Sequence, residues 1–141
     1  MIHGIVLSAE ILKPLESVNK KGNPISVDHI DLITGVISGI ISPLNSEEYA
    51  NPKASSTRMH SRFSSDSWVE ENGWCIIQCL VDIDQPTYFR LRGTNLAVNT
   101  PGEVDEKGNP LMDPPPGSHS ERLAWNDTWF YSNSIFIYPQ Q

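Results

Sequence analysis

Apolar and polar positions alternate with a period of two along several short stretches, most clearly from Trp74 to Asp84. There the odd-numbered positions Cys75, Ile77, Cys79, Val81 and Ile83 are all apolar, whereas the even face mixes Trp74, Ile76 and Leu80 with Gln78 and Asp82. This pattern predicts a central strand of a half-buried sheet. Ile2 to Leu7 is an apolar run fit for a first strand. From Asp28 to Ser42, branched residues and the glycines 35 and 39 disfavour helix and predict one or two strands with a bulge or bend. Thr57 to Phe63 alternates, with Arg58, His60 and Arg62 on one face and Met59, Ser61 and Phe63 on the other. After a turn at Gln85-Pro86, Tyr88, Arg90 and Arg92 alternate with Phe89 and Leu91, which predicts a hairpin with the preceding strand. Ser134 to Tyr138 reads as the last strand.

Turn signals separate these stretches. Gly and Asn tolerate positive φ and Pro cannot extend a ladder, so KGNP at 21–24 and again at 107–110 is turn chemistry used twice, not a duplicated fold. A turn or short helix is expected near Asn45 to Tyr49, and Glu71-Asn72-Gly73 turns the chain into the strongest strand. A long loop, about residues 95–123, lies between the last two strands and carries little strand pattern. Loops of that length in compact domains are usually functional or disordered, and packing of Trp125 or Trp129 is expected to order this one. Short strands without alternating helices predict an all-β antiparallel β-sandwich over residues 1–141, immunoglobulin-like or jelly-roll-like.

Composition narrows the function. The 141 residues, 38% hydrophobic, suit one domain. Ten Lys and Arg against 17 Asp and Glu give a net charge of -7, the wrong sign for neutralising phosphates, so nucleic acid is not an expected partner. No stretch approaches the roughly 18 consecutive apolar residues of a membrane helix. The start of the chain lacks a basic region and meets Glu10 and Lys13 early, which reads as no secretory signal. Cys75 and Cys79, four residues apart on one strand face, would lie about 13 Å apart, beyond disulfide reach. Two unpaired thiols favour a cytoplasmic location.

Tyr88 to Gly93 and Ala124 to Ile137 resemble the ending of β-sandwich domains appended to bacterial metal-dependent phosphoesterases of the PHP type, with an aromatic-Arg-x-Arg strand, an Ala-Trp pair and a Ser-Asn-Pro-Ile strand. Ser134 stands where that pattern has proline. None of the His and Asp motifs of the catalytic domain occurs, so the resemblance implies an accessory, non-catalytic sandwich.

Candidate chemistry is sparse. His3, His29, His60 and His119 fall in no zinc spacing. Asp28-His29-x-Asp31 would orient an imidazole but has no nucleophile motif to activate. Asp82 and Asp84 share a strand face, and with Asp105 from the long loop they would offer calcium its oxygen ligands; a solvated strand end is the plainer account. No other cofactor is implied. Arg58, His60 and Arg62, with Arg90 and Arg92 on another strand, would form a cationic patch for a carboxylate or phosphate if the strands neighbour each other. Cross-strand pairing with carboxylates is the competing account. Trp125 and Trp129 would stack on sugars or a partner's apolar groups. The expectation is a non-catalytic module that binds a protein or small ligand, self-association being one version. A small metal-dependent hydrolase and a structural, oligomer-forming component are the alternatives.

Overall fold

The computed structural model describes residues 3–12, 26–39, 47, 54–102, 104–111 and 129–139. Eight strands occur among them: β1 (His3–Leu12), β2 (His29–Val36), β3 (Arg58–Ser64), β4 (Val69–Glu71), β5 (Trp74–Ile83), β6 (Thr87–Thr94), β7 (Trp129–Tyr131) and β8 (Ile135–Ile137). They form two antiparallel sheets. The first has the order β1-β5-β4 and the second β3-β2-β6-β7, with β8 also on β6. The protein is an all-β sandwich.

The alternation along β5 appears directly in its burial. Cys75, Ile77, Val81 and Ile83 are buried towards the second sheet, while Trp74 and Leu80 are exposed on the outside. Opposite them, Ile30 and Leu32 of β2, Phe63 of β3 and Phe89 of β6 complete one core, with Ile5, Leu7, Ala9 and Ile11 of β1 packed against it. This two-layer arrangement buries one face of each sheet, and transfer of that apolar surface from water is the main force holding the layers together. β4 and β5 are joined by Asn72-Gly73, both at positive φ (50° and 82°), the backbone that a tight two-residue hairpin turn requires.

β1 is longer than the apolar run suggests, because Ala9 and Ile11 continue the inward period past Ser8 and Glu10 and keep register with β5 as far as Leu12. β2 is a single strand, and its pairing with β3 shifts between Leu32 and Ile33. The expected hairpin between β5 and β6 does not form: β5 pairs with β1 and β4, while β6 pairs with β2, β7 and β8. Both strands carry apolar residues on the face that must be buried, and the Gln85-Pro86 corner lets the chain cross from one layer to the other so that those faces meet. The last strand expected at Ser134 to Tyr138 forms as β8, and a further short strand, β7, precedes it on β6. Their register advances by one residue between Tyr131 and Ile135, so β7 and β8 are one strand interrupted by a bulge at Ser132 to Ser134. Ser132 repairs the ladder there, its N–H donating to Leu91 O at 3.0 Å and its Oγ accepting from Leu91 N at 2.8 Å. The turn expected at 21–24, the helix near Asn45 to Tyr49 apart from Glu47, His119 and Trp125 lie outside the described residues.

Candidate functional site

Two features stand out, one on the outer face of the second sheet and one between the sheets. The first is built from charged residues in the middle of strands. The register sets Asp31 of β2 beside Arg62 of β3 on one side and Arg92 of β6 on the other. Arg62 donates through Nε to Asp31 Oδ1 at 2.7 Å and through Nη2 to Oδ2 at 3.0 Å, and Arg92 donates through Nη2 to Oδ2 at 2.6 Å. Asp31 is fully buried and Arg92 is 8% exposed, although both point away from the sandwich core. Burial pushes the Asp31 carboxyl up, but the two guanidiniums outweigh it and hold it below the usual carboxylate range.

The second KGNP turn lies over these arginines. Asp105 closes that turn, its carboxylate accepting from the backbone N–H of Lys107 (2.9 Å) and of Asn109 (2.7 Å) and from Asn109 Nδ2 (3.0 Å). These bonds, the Asn109 amide first, lower the Asp105 pKa. The turn then presents acceptors downwards: Lys107 O takes Arg62 Nη2 at 3.1 Å, and Asn109 Oδ1 takes Arg92 Nη2 at 3.3 Å. Gly108, at φ +78°, sits against the Arg62 guanidinium, where a Cβ would collide. The described part of the long connection is therefore ordered, by hydrogen bonds to arginines. Of the tryptophans expected to order it, Trp125 and the side chain of Trp129 lie outside the described residues.

Of the proposed cationic patch, Arg62 and Arg92 are thus joined through Asp31, while Arg58 and Arg90 are exposed and Arg90 lies 5.8 Å from the centre of the Tyr131 ring. His60 does not share their face. It is the extra residue of the β3 bulge, which turns it from the arginine side so that its ring meets Phe89 edge-on at 6.3 Å, with Nδ1 2.8 Å from Ser61 Oγ. His29 is 2% exposed with Nδ1 at 2.7 Å from Asp28 Oδ1, and its Nε2 lies 4.0 Å from Asp31 Oδ2. Asp82 and Asp84 do not share a strand face, since β5 ends at Ile83 and Asp84 belongs to the corner. Among the described residues, no three His, Cys, Asp or Glu side chains come together as a metal would need. Neither Cys75 nor Cys79 is in a disulfide, the first being buried and the second half-buried.

The second feature was not expected from the sequence. Along one side of the sandwich, β1 and the β7–β8 segment line a cleft of about 520 Å³ that opens into the core. Leu7, Ala9 and Ile11 form one wall, Phe130 and Ile135 the other, and Leu32, Ile77, Phe89 and Leu91 the floor. Among the described residues, Glu10 and Arg90 are its only charged lining residues. Beside it, Tyr131, Ile135, Phe136 and Tyr138 are each more than half exposed. Phe130 is held there because Gly93, opposite it, has no side chain: a Cβ at that position would land on the Phe130 ring. Such a surface excludes water poorly and gains most from apolar contact. Comparison of the chain with family models, with curated proteins and with solved structures gives no match.

Proposed function

We propose that the chain is a non-catalytic β-sandwich recognition module that takes an apolar polypeptide segment in the cleft between β1 and β7–β8. The observation that carries this reading is the cleft itself, a pocket of about 520 Å³ opening into the core and walled by aliphatic and aromatic side chains. A pocket of that size falls in the range of ordinary ligand sites, roughly 300 to 1,000 Å³. Two of the arginines offered by the sequence for anion binding, Arg62 and Arg92, support a structural part in this reading, because their donors are directed at Asp31 and the KGNP turn. The accessory role implied by the resemblance to phosphoesterase-appended sandwiches fits a module that docks on a protein.

Nile red, an uncharged apolar dye, tests the cleft. At low micromolar protein it is expected to bind saturably with enhanced fluorescence, and Ala9→Arg, which puts a charge at the wall, is expected to weaken binding by roughly tenfold or more, in line with desolvating a charge. Ala9→Arg with unchanged circular dichroism and unchanged dye affinity would rule the cleft out as the binding surface.

A further inference from the structure

Sheets end in rows of unpaired backbone groups, and proteins ordinarily blunt them with bulges, short strands or charges. Among the described residues the two sheets have four edges, and three of them are treated that way. β3 carries the bulge at His60 together with Arg58 and Arg62, β4 is three residues long with Glu70 and Glu71, and β7–β8 is bulged at Ser132 to Ser134. β1 is neither short nor bulged: ten residues pair with β5 in one unbroken register, with no proline and, as its one acidic or basic residue besides His3, Glu10 near the far end. Among the described residues nothing pairs with its other side. It also carries aliphatic groups on both faces, with Ile5 and Leu7 inward and Val6 outward. Val6 is 63% exposed, directly across from Leu80 at 65%.

We infer that the occupant of this edge is a second copy of the chain, the two β1 strands pairing antiparallel about a two-fold axis at Val6 to give a continuous six-stranded sheet that closes both clefts. The inference rests on the reading of the cleft as the binding surface. A two-fold axis normal to a sheet keeps inward residues inward, so it must set some residue opposite its own counterpart. Centring on Val6 places Val6 against Val6 with Leu80 on either side, Ile5 against Leu7 and Gly4 against Ser8, and leaves Glu10 beyond the paired stretch. Centring on Leu7 sets Glu10 against Gly4, and centring on Ser8 sets Glu10 against Val6, losing the aliphatic match. Because β1 and β7–β8 lie on the same side of the sandwich, the partner's second sheet arrives opposite Tyr131 and Ile135. Their area adds to a backbone contact that alone falls short of the roughly 800 Å² per partner of stable interfaces.

Sedimentation and disulfide trapping test this. The protein is expected to be a dimer at about 100 µM, and Val6→Lys, at an exposed position, is expected to be monomeric with its circular dichroism retained. Under mild oxidation Val6→Cys should link two chains, whereas Ser8→Cys, whose counterpart would be about 13 Å away, should not exceed the background of the parent protein. A monomer at every concentration, or equal linking at both positions, overturns the second copy. If that monomer still binds Nile red in an Ala9-dependent way, the cleft reading stands with a different occupant, and if it does not, both fail.

Discussion

Replacing Asp31 by Asn keeps the shape of the side chain and removes its charge, which isolates what the carboxylate does between its two arginines. In the native protein three charge-assisted hydrogen bonds end on Asp31, and neither Asp31 nor Arg92 has appreciable access to water. The amide of the variant has one acceptor oxygen for those donors and takes away the negative charge that both guanidiniums share on that sheet face. Removing one partner of a buried pair costs about 3 to 5 kcal/mol. The Arg62 side chain is 22% exposed and can relax towards solvent, whereas Arg92 cannot, so the lower end of about 3 kcal/mol is expected. For a chain of this length that amounts to roughly 10 °C in Tm. Urea unfolding followed by tryptophan fluorescence reads the difference directly. The pH dependence supplies a second readout. The Asp31 pKa is lowered by folding, so its stabilisation is fully present above the unfolded carboxylate value and is lost as pH falls through the lower folded value. Asp31→Asn should lack that part of the acid transition. A loss under about 1 kcal/mol, with the acid limb unchanged, would refute the account of the arginines as bound in place by Asp31.

Three further outcomes follow from the geometry. Gly108→Ala should cost about 1 to 2 kcal/mol, since it combines positive φ with a collision on Arg62, and hydrogen exchange should rise over 104–110 more than in β5. Gly93→Ala should displace Phe130 from the cleft wall, costing about 1 to 3 kcal/mol by chemical denaturation and lowering Nile red affinity. Native protein should react with a thiol reagent at Cys79 well before Cys75, and dye in the cleft should slow that reaction; equal rates would contradict their different burial.

The elements whose apolar residues face one core were legible, because alternation reports which side of a strand is dry. β5 and β3 fall where the period of two puts them, and the turns at Asn72-Gly73 and Lys107-Gly108-Asn109 follow from residues that tolerate positive φ. Sheet membership was not legible: a corner such as Gln85-Pro86 and a hairpin share the same local signals, and only the packing of layers decides between them. The bulge that turns His60 was hidden for a similar reason, since it depends on how β3 pairs with β2. Arg62, Asp31 and Arg92 did leave a trace, a single carboxylate within the apolar run of β2 and arginines at alternating positions of β3 and β6, with signs that can cancel. The cleft left none, because it is formed by two edges far apart in the chain.

The hold of the 104–110 turn on Arg62 and Arg92 also bears on how the chain finds its fold. Thirty-four residues separate the end of β6 at Thr94 from the start of β7 at Trp129. Closing a loop costs entropy that grows with the logarithm of its length. Anchoring Lys107 and Asn109 on the second sheet divides one long excursion into two shorter ones, so that β7 searches for β6 from a tether already fixed nearby. A pair of guanidiniums thereby ties the 104–110 turn to the layer β3-β2-β6 and shortens the loop whose closure entropy the strand carrying Phe130 must overcome.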